Sequence, residues 1–313
     1  MERLTQSTTH LYGFDIENTI FSGQCFRWKV TDNTPTVLSG IIGSDMFIIN
    51  RSNPVECTIS STKKFTNINS FNEFNRKYFS LDVDVNSLFP DDFRKRYPEV
   101  WDRIQPYTDI KILRQDPFET LITFMCAQGL GMHLIRKQVT YLAQEYGTRH
   151  TIRLNDVPYT YFSFPTPEAL ASTSPESLRL CTNNNCIRAD NIIQAAQAVV
   201  SGKLDLQALK DPAMPLENVR KTLCSQPGIG FKIADCVMLF GLHRFAAFPI
   251  DRHVHQYLAH WFSIGNPLQS LSQKHYLSLQ EQAYRILKPE LAGFAGHILF
   301  HCWRKEIKHL QSY

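Results

Sequence analysis

Residues 226–251 constrain this chain most. They open Gln226-Pro227-Gly228-Ile229-Gly230-Phe231-Lys232-Ile233-Ala234-Asp235-Cys236 and close on Phe248-Pro249-Ile250-Asp251. The Pro-Gly-x-Gly turn separates two stretches of helical period. Before it, Leu216, Val219 and Leu223 recur with charges between them. After it, Ile233, Val237 and Phe240 give one apolar stripe. Lys232, Cys236 and Leu239 give a second, so Lys232 and Cys236 share a helix face. Beyond Pro249, residues Val254, Tyr257, Leu258 and Trp261 mark a third helix with Asp251 at its N-cap.

Glycines let backbone N–H groups approach a phosphate with no side chain in the way. A lysine at a helix start, with an aspartate nineteen residues further on, offers an amine nucleophile and an anionic partner. An amine attacks only when neutral, and burial or the positive end of a helix favours that form. Each residue alone has a plainer reading, as a turn, a solvated lysine or a helix cap. Together they point to a nucleic-acid backbone held beside covalent chemistry at a sugar.

The rest of the chain bounds that reading. A length of 313 residues and a 43% hydrophobic fraction predict one large or two medium domains with an ordinary core. The net charge of +4 permits nucleic acid without demanding it. No apolar run is long enough for a bilayer, and the polar segment 1–10 has no signal-peptide character. The expectation is a monomer away from membranes and not secreted, in the cytoplasm or nucleoid of a bacterium or the nucleus of a eukaryote. The eight cysteines show no C-x2-C pair, which predicts free thiols rather than a zinc site.

Two composition regimes predict an α+β fold. Over residues 1–105, short β-branched and aromatic runs at 26–30, 36–42 and 46–49 alternate with turn clusters at 31–35 and 43–45. They predict an antiparallel sheet with a helix over 71–78 beside it. Over residues 106–313, helix starts recur. Asp116-Pro117-Phe118-Glu119 combines an N-cap, a first-turn proline and a capping-box glutamate; Thr166-Pro167-Glu168 and Ser174-Pro175-Glu176 repeat the signal. Ile192, Ala195, Ala196 and Val199 mark a further helix.

The 226–251 segment resembles the helix-hairpin-helix superfamily of DNA glycosylases, and its lysine the branch that combines glycosylase with lyase activity. Four more segments resemble the 8-oxoguanine DNA glycosylase family, in order along the chain: Ser22-Gly23-Gln24-Cys25-Phe26-Arg27-Trp28, Arg76-Lys77-Tyr78-Phe79-Ser80-Leu81-Asp82, Leu113-Arg114-Gln115-Asp116-Pro117-Phe118-Glu119, and Ala292-Gly293-Phe294-Ala295 with Ile298-Leu299-Phe300. The resemblance implies a helical core behind an N-terminal sheet domain. It implies an enzyme that flips a damaged purine out of duplex DNA, excises it and then cleaves the abasic strand. An alkylpurine glycosylase of the same fold is the alternative reading, and a non-catalytic DNA-binding hairpin module is a third, disfavoured by the retention of both Lys232 and Asp251.

By the same resemblance, Lys232 is the nucleophile and Asp251 its electrostatic partner, and Gly23, Cys236 and Phe300 form the base pocket. The Gly23 carbonyl would accept the N7–H that 8-oxoguanine has and guanine lacks. Gly228, Gly230, Ile233 and His253 would hold DNA phosphates. The carbonyls of Cys224, Gln226 and Ile229 would hold a monovalent cation. No other cofactor is expected, and a four-cysteine iron–sulfur cluster is not, since only Cys302 lies near the C-terminus. Three positions depart from the family pattern. Gly296, followed by His297, stands where a glutamine usually reads the base's Watson–Crick edge. Ala127-Gln128-Gly129-Leu130-Gly131 replaces an asparagine-rich loop, with Gln128 placed to fill the vacated stack. Ile187-Arg188 replaces a Tyr-Arg wedge pair. These changes predict relaxed discrimination of lesion and opposite base.

Overall fold

The computed structural model describes residues 4–310 apart from 11–13, 32–33, 54 and 155–156. Five strands form an antiparallel sheet in the order β1-β5-β4-β3-β2: β1 (Thr5–His10), β2 (Trp28–Thr31), β3 (Thr34–Ile42), β4 (Asp45–Asn50) and β5 (Glu56–Ser61). The three apolar runs read from sequence are β2, β3 and β4. β1 and β5 went unread because their residues, TQSTTH and ECTISS, are largely polar. They pair with each other at the sheet's edge. Residues 32–33 of the turn expected over 31–35 lie outside the described residues.

One face of the sheet buries Trp28, Leu38, Phe47, Ile49 and Ile59 against helices α1 (Ile16–Phe21) and α2 (Ile68–Tyr78). The other face meets a second hairpin, β6 (Arg149–Leu154) and β7 (Val157–Phe162), also unread from sequence; Ile152 and Tyr161 pack on Met46. The remaining helices are α3 (Phe93–Arg96), α4 (Pro98–Ile104), α5 (Pro117–Cys126), α6 (Met132–Tyr146), α7 (Pro167–Ala171), α8 (Pro175–Leu178), α9 (Cys186–Val200), α10 (Leu216–Cys224), α11 (Phe231–Cys236), α12 (Arg252–Phe262), α13 (Gln273–Tyr284) and α14 (Ala292–Cys302). Asp116, Thr166 and Ser174 each accept an N-cap hydrogen bond, as their spacing predicts. α11 runs on through a π turn at Val237–Gly241, a feature that concentrates at functional sites.

The two cores interlock. Phe26 joins the helical core, while Leu113 joins the sheet core. Gln24 is the knot between them. It is fully buried, and its amide donates to the carbonyls of Thr19 and Lys111 and accepts from the Leu113 amide (2.7–2.8 Å). Gln115 then donates to the Gln24 carbonyl at 2.7 Å, and its own amide donates to the Phe240 carbonyl at 3.0 Å. This chain of bonds holds the 22–28 segment against the helix that carries Lys232 and Cys236. Satisfied buried amides of this kind fix a geometry, because breaking one strands the others.

Candidate active site

The hairpin forms where the sequence places it. Gly228 sits at φ +78°, a backbone region that costs glycine nothing, and a Cβ there would lie 2.5 Å from Asn191 Nδ2 of α9. Gly230 is the extended N-cap of α11, and a Cβ there would meet nothing, so the approach to the helix start is open. The first intrahelical bond runs from the Ala234 amide to the Gly230 carbonyl. The first-turn amides, that of Ile233 included, therefore face outward without helical partners. The Gln226 carbonyl accepts the Ile229 amide at 3.2 Å. It keeps a second lone pair, and neutral carbonyl donors of this kind suit a monovalent cation.

The hairpin's two helices are locked from behind. Asp235 is fully buried and accepts from Arg220 Nε (2.8 Å), Tyr276 Oη (2.7 Å) and Gln280 Nε2 (2.5 Å). That network ties α10, α11 and α13 together. Helical spacing carries no sign of it, because a single Arg or Asp on a helix ordinarily reads as surface.

One cavity gathers Gly23, Lys232, Cys236, Asp251, Gly296, His297 and Phe300. Residues more than 270 positions apart meet there, and its remaining wall is apolar, with Phe124, Phe240 and Phe248 beside Leu239, Pro249, Val254 and Gly293. Lys232 is half-buried, with Nζ 5.1 Å from the centre of the Phe124 ring. The Cys236 thiol is pushed up to about 11, chiefly by burial and against the opposing pull of Lys232, and so stays neutral. Asp251 caps α12: its Oδ1 accepts from the amides of His253 (2.8 Å) and Val254 (2.9 Å). Asp251 thus caps the helix and lines the cavity at once. The open space is about 70 Å³, the share of two or three waters.

Gly23 adopts φ +90°, and the Met132 methyl lies 2.0 Å from where a Cβ would stand. Phe300 is partly exposed between the His253 ring edge (6.1 Å) and the Arg304 guanidinium (5.5 Å). Burial lowers the basicity of His253, and its Nδ1 has no partner among the described residues.

Gly296 is accounted for by its neighbour. A Cβ there would sit 2.3 Å from Phe248 Cε2, so the ring fills the room a side chain at 296 would need. Gly293 makes this approach possible, because a Cβ there would stand 1.8 Å from the Ala247 carbonyl oxygen. His297 faces the cavity. Beside the hairpin, Gln128 Nε2 donates to the Gly228 carbonyl at 2.6 Å, and Arg188 Nη2 donates to the Gln128 carbonyl at 2.8 Å. Ile187 beside it is 76% exposed, an apolar side chain with no cover.

Residues 6–121 match the N-terminal domain of 8-oxoguanine DNA glycosylase, and residues 122–281 match the HhH-GPD superfamily of base excision DNA repair proteins. The N-glycosylase/DNA lyase of Saccharomyces cerevisiae is 29% identical over 277 residues, covering 83% of this chain and 72% of that protein. A solved structure of MBOgg1 with a low-affinity DNA ligand superposes with a TM-score of 0.76 at 27% identity, covering 94% of this chain and 93% of that one. The 8-oxoguanine glycosylase/lyase of Clostridium acetobutylicum, solved with double-stranded DNA carrying cytosine opposite 8-oxoguanine, shares the fold at a TM-score of 0.78 and 23% identity, covering 99% of this chain and all of that one. This chain belongs to the HhH-GPD superfamily of base excision DNA repair proteins, within its 8-oxoguanine DNA glycosylase family.

Proposed function

We propose that this protein excises 8-oxoguanine from duplex DNA and then opens the strand at the resulting abasic site, with Lys232 as nucleophile. The observation that supports the reading is one cavity holding an amine, a carboxylate and apolar walls beside a Pro-Gly-x-Gly hairpin with an open helix start. Lys232 Nζ attacks C1′ of the flipped nucleotide. The bond from C1′ to the base nitrogen breaks, and its electron pair leaves with the base, which takes up a proton. Opening of the sugar ring gives an imine to Lys232. Loss of a C2′ proton then expels the 3′ phosphate by β-elimination. The Asp251 carboxylate stabilises the positive charge on the sugar and assists proton movement.

The amides of Gly228, Gly230 and Ile233, with His253, hold the DNA phosphates around the lesion. The carbonyls of Cys224, Gln226 and Ile229 would hold a monovalent cation, which adds positive charge at the same phosphate. Cys236 and Phe300 take the faces of the base, and the Gly23 carbonyl takes its N7–H. Gln128 fills the space the base leaves, with Ile187 as the apolar wedge beside it. Arg188 and Gln128, already bonded to each other at the hairpin, meet the opposite strand.

Borohydride reduction tests the chemistry, because it fixes only an imine. Native protein with duplex containing 8-oxoguanine should give a covalent protein–DNA adduct. Lys232→Gln should bind that DNA and give none. Adduct formation by Lys232→Gln at the native rate would place the nucleophile elsewhere. One observation favours a second substrate class: Phe248 and Gly296 leave an aromatic wall in the pocket. Excision of 3-methyladenine with 8-oxoguanine left in place would establish that alternative.

A further inference from the structure

His297 is the one polar side chain in the cavity that the chemistry above does not use. Its ring is nearly buried, stacked near-parallel to Phe300 (5.9 Å, 23°) and edge-on to Phe240 (5.2 Å). Its Nε2 lies 2.7 Å from Ser22 Oγ. Ser22 is in turn bonded on its other side, within 3.1 Å of Gln24 Nε2. Ser22 has one hydroxyl proton, and the Thr19 carbonyl lies 3.0 Å from its oxygen. Gln24 Nε2 has two protons, and its two shortest bonds go to the Thr19 and Lys111 carbonyls at 2.7 and 2.8 Å. With the Ser22 proton on the Thr19 carbonyl, the Ser22 oxygen accepts and His297 Nε2 donates to it, the arrangement the proposal below takes. The proton on Nε2 leaves Nδ1 as a bare acceptor. No described residue engages that atom. Burial first, then His301 and Arg304, push the ionisation of the ring down to about 3, so it stays a neutral acceptor.

The wall beside it offers nothing comparable. Gly296 has no side chain, and Phe248 occupies the room next to it. A guanine-type base has N–H donors at N1 and at the 2-amino group, and a flipped base leaves them buried. We propose that His297 determines base specificity in this pocket, its Nδ1 accepting a hydrogen bond from an N–H of a flipped guanine-type lesion. The assignment rests on the glycosylase reading. Ser22, on the sheet domain's side of the cavity, acts as a positioning residue by fixing the tautomer of a ring carried on α14.

The test is His297→Phe, which keeps a flat ring between Phe240 and Phe300 and removes the acceptor. Single-turnover release of 8-oxoguanine is measured beside cleavage of a pre-formed abasic site, which needs Lys232 but no base. Release should slow about 10- to 100-fold, the cost of leaving a buried donor unpaired. Abasic-site cleavage should stay within about twofold of native. Ser22→Ala should slow release less, because the freed ring can still adopt the acceptor tautomer part of the time. Native release rates in His297→Phe overturn the assignment and leave the glycosylase reading intact. Equal losses in release and abasic-site cleavage overturn it in favour of a structural role. A native protein that forms no borohydride-trapped adduct overturns both readings.

Discussion

Asp251 caps a helix with the carboxylate to which we assign a catalytic role, and a pair of substitutions separates the two. Its Oδ1 accepts two amide protons at the start of α12, and the same residue lines the cavity. Asparagine is as good an N-cap as aspartate, so Asp251→Asn keeps both amide bonds and removes only the charge. The stability lost is the charge–dipole part, about 0.3–1 kcal/mol. Asp251→Ala removes the bonds as well and costs about 1–2 kcal/mol. Catalysis responds differently, since both variants lose the negative charge beside the developing sugar cation. Removing one such preorganised group typically costs about 10²- to 10³-fold, or about 2.7–4 kcal/mol of barrier. The expected pattern is two variants with similar, large losses in single-turnover excision and clearly different unfolding midpoints. Urea denaturation gives the midpoints, and quench-flow on lesion duplex gives the rates. Near-native excision by Asp251→Asn, or losses that track the midpoints, would falsify the electrostatic role and leave Asp251 as a cap.

Three further outcomes follow from the same geometry. Arg220→Met strands the fully buried Asp235 without its cation and should destabilise the fold by about 3–5 kcal/mol; a midpoint unchanged in denaturant would show that Tyr276 and Gln280 suffice. Acid should weaken the fold: burial holds His297 and His301 down to about 3 and 4. An unfolded histidine binds its proton near pH 6.5, so between 6.5 and 4 the unfolded chain takes up more protons and stability falls as pH falls, roughly 2 kcal/mol per ring from pH 7 to 5. Glu119, raised to about 7 by burial, works the other way and offsets about half; equal or greater stability at pH 5 would refute the reasoning. Binding to lesion-free duplex should weaken steeply with salt, because backbone amides and cations on phosphate displace counterions, and a flat salt dependence would count against the hairpin as the main anchor.

The local features were legible in the residues because each depends on near neighbours in sequence. The Pro-Gly-x-Gly turn, the N-caps at Asp116, Thr166, Ser174 and Asp251, and the shared face of Lys232 and Cys236 all follow from helical spacing and turn chemistry. Strands β1, β5 and β6 were not legible, since largely polar strands take their pattern from a partner rather than from their own alternation, whereas β7, VPYTYF, did carry a strand signal. The cavity itself was decided only in three dimensions. Gln24, buried between Thr19 and residues 111–115, brings Gly23 to a helix two hundred positions away. Phe248 closes on Gly296 because Gly293 lets the backbones touch. His297 meets Ser22, 275 residues earlier, at 2.7 Å across the same cavity. Sequence spacing carries no information about such distant pairs, because their contact depends on how whole elements pack. The chemistry available to this chain was therefore written in a short segment, and its aim at a particular base was set by side chains that only the folded core brings together.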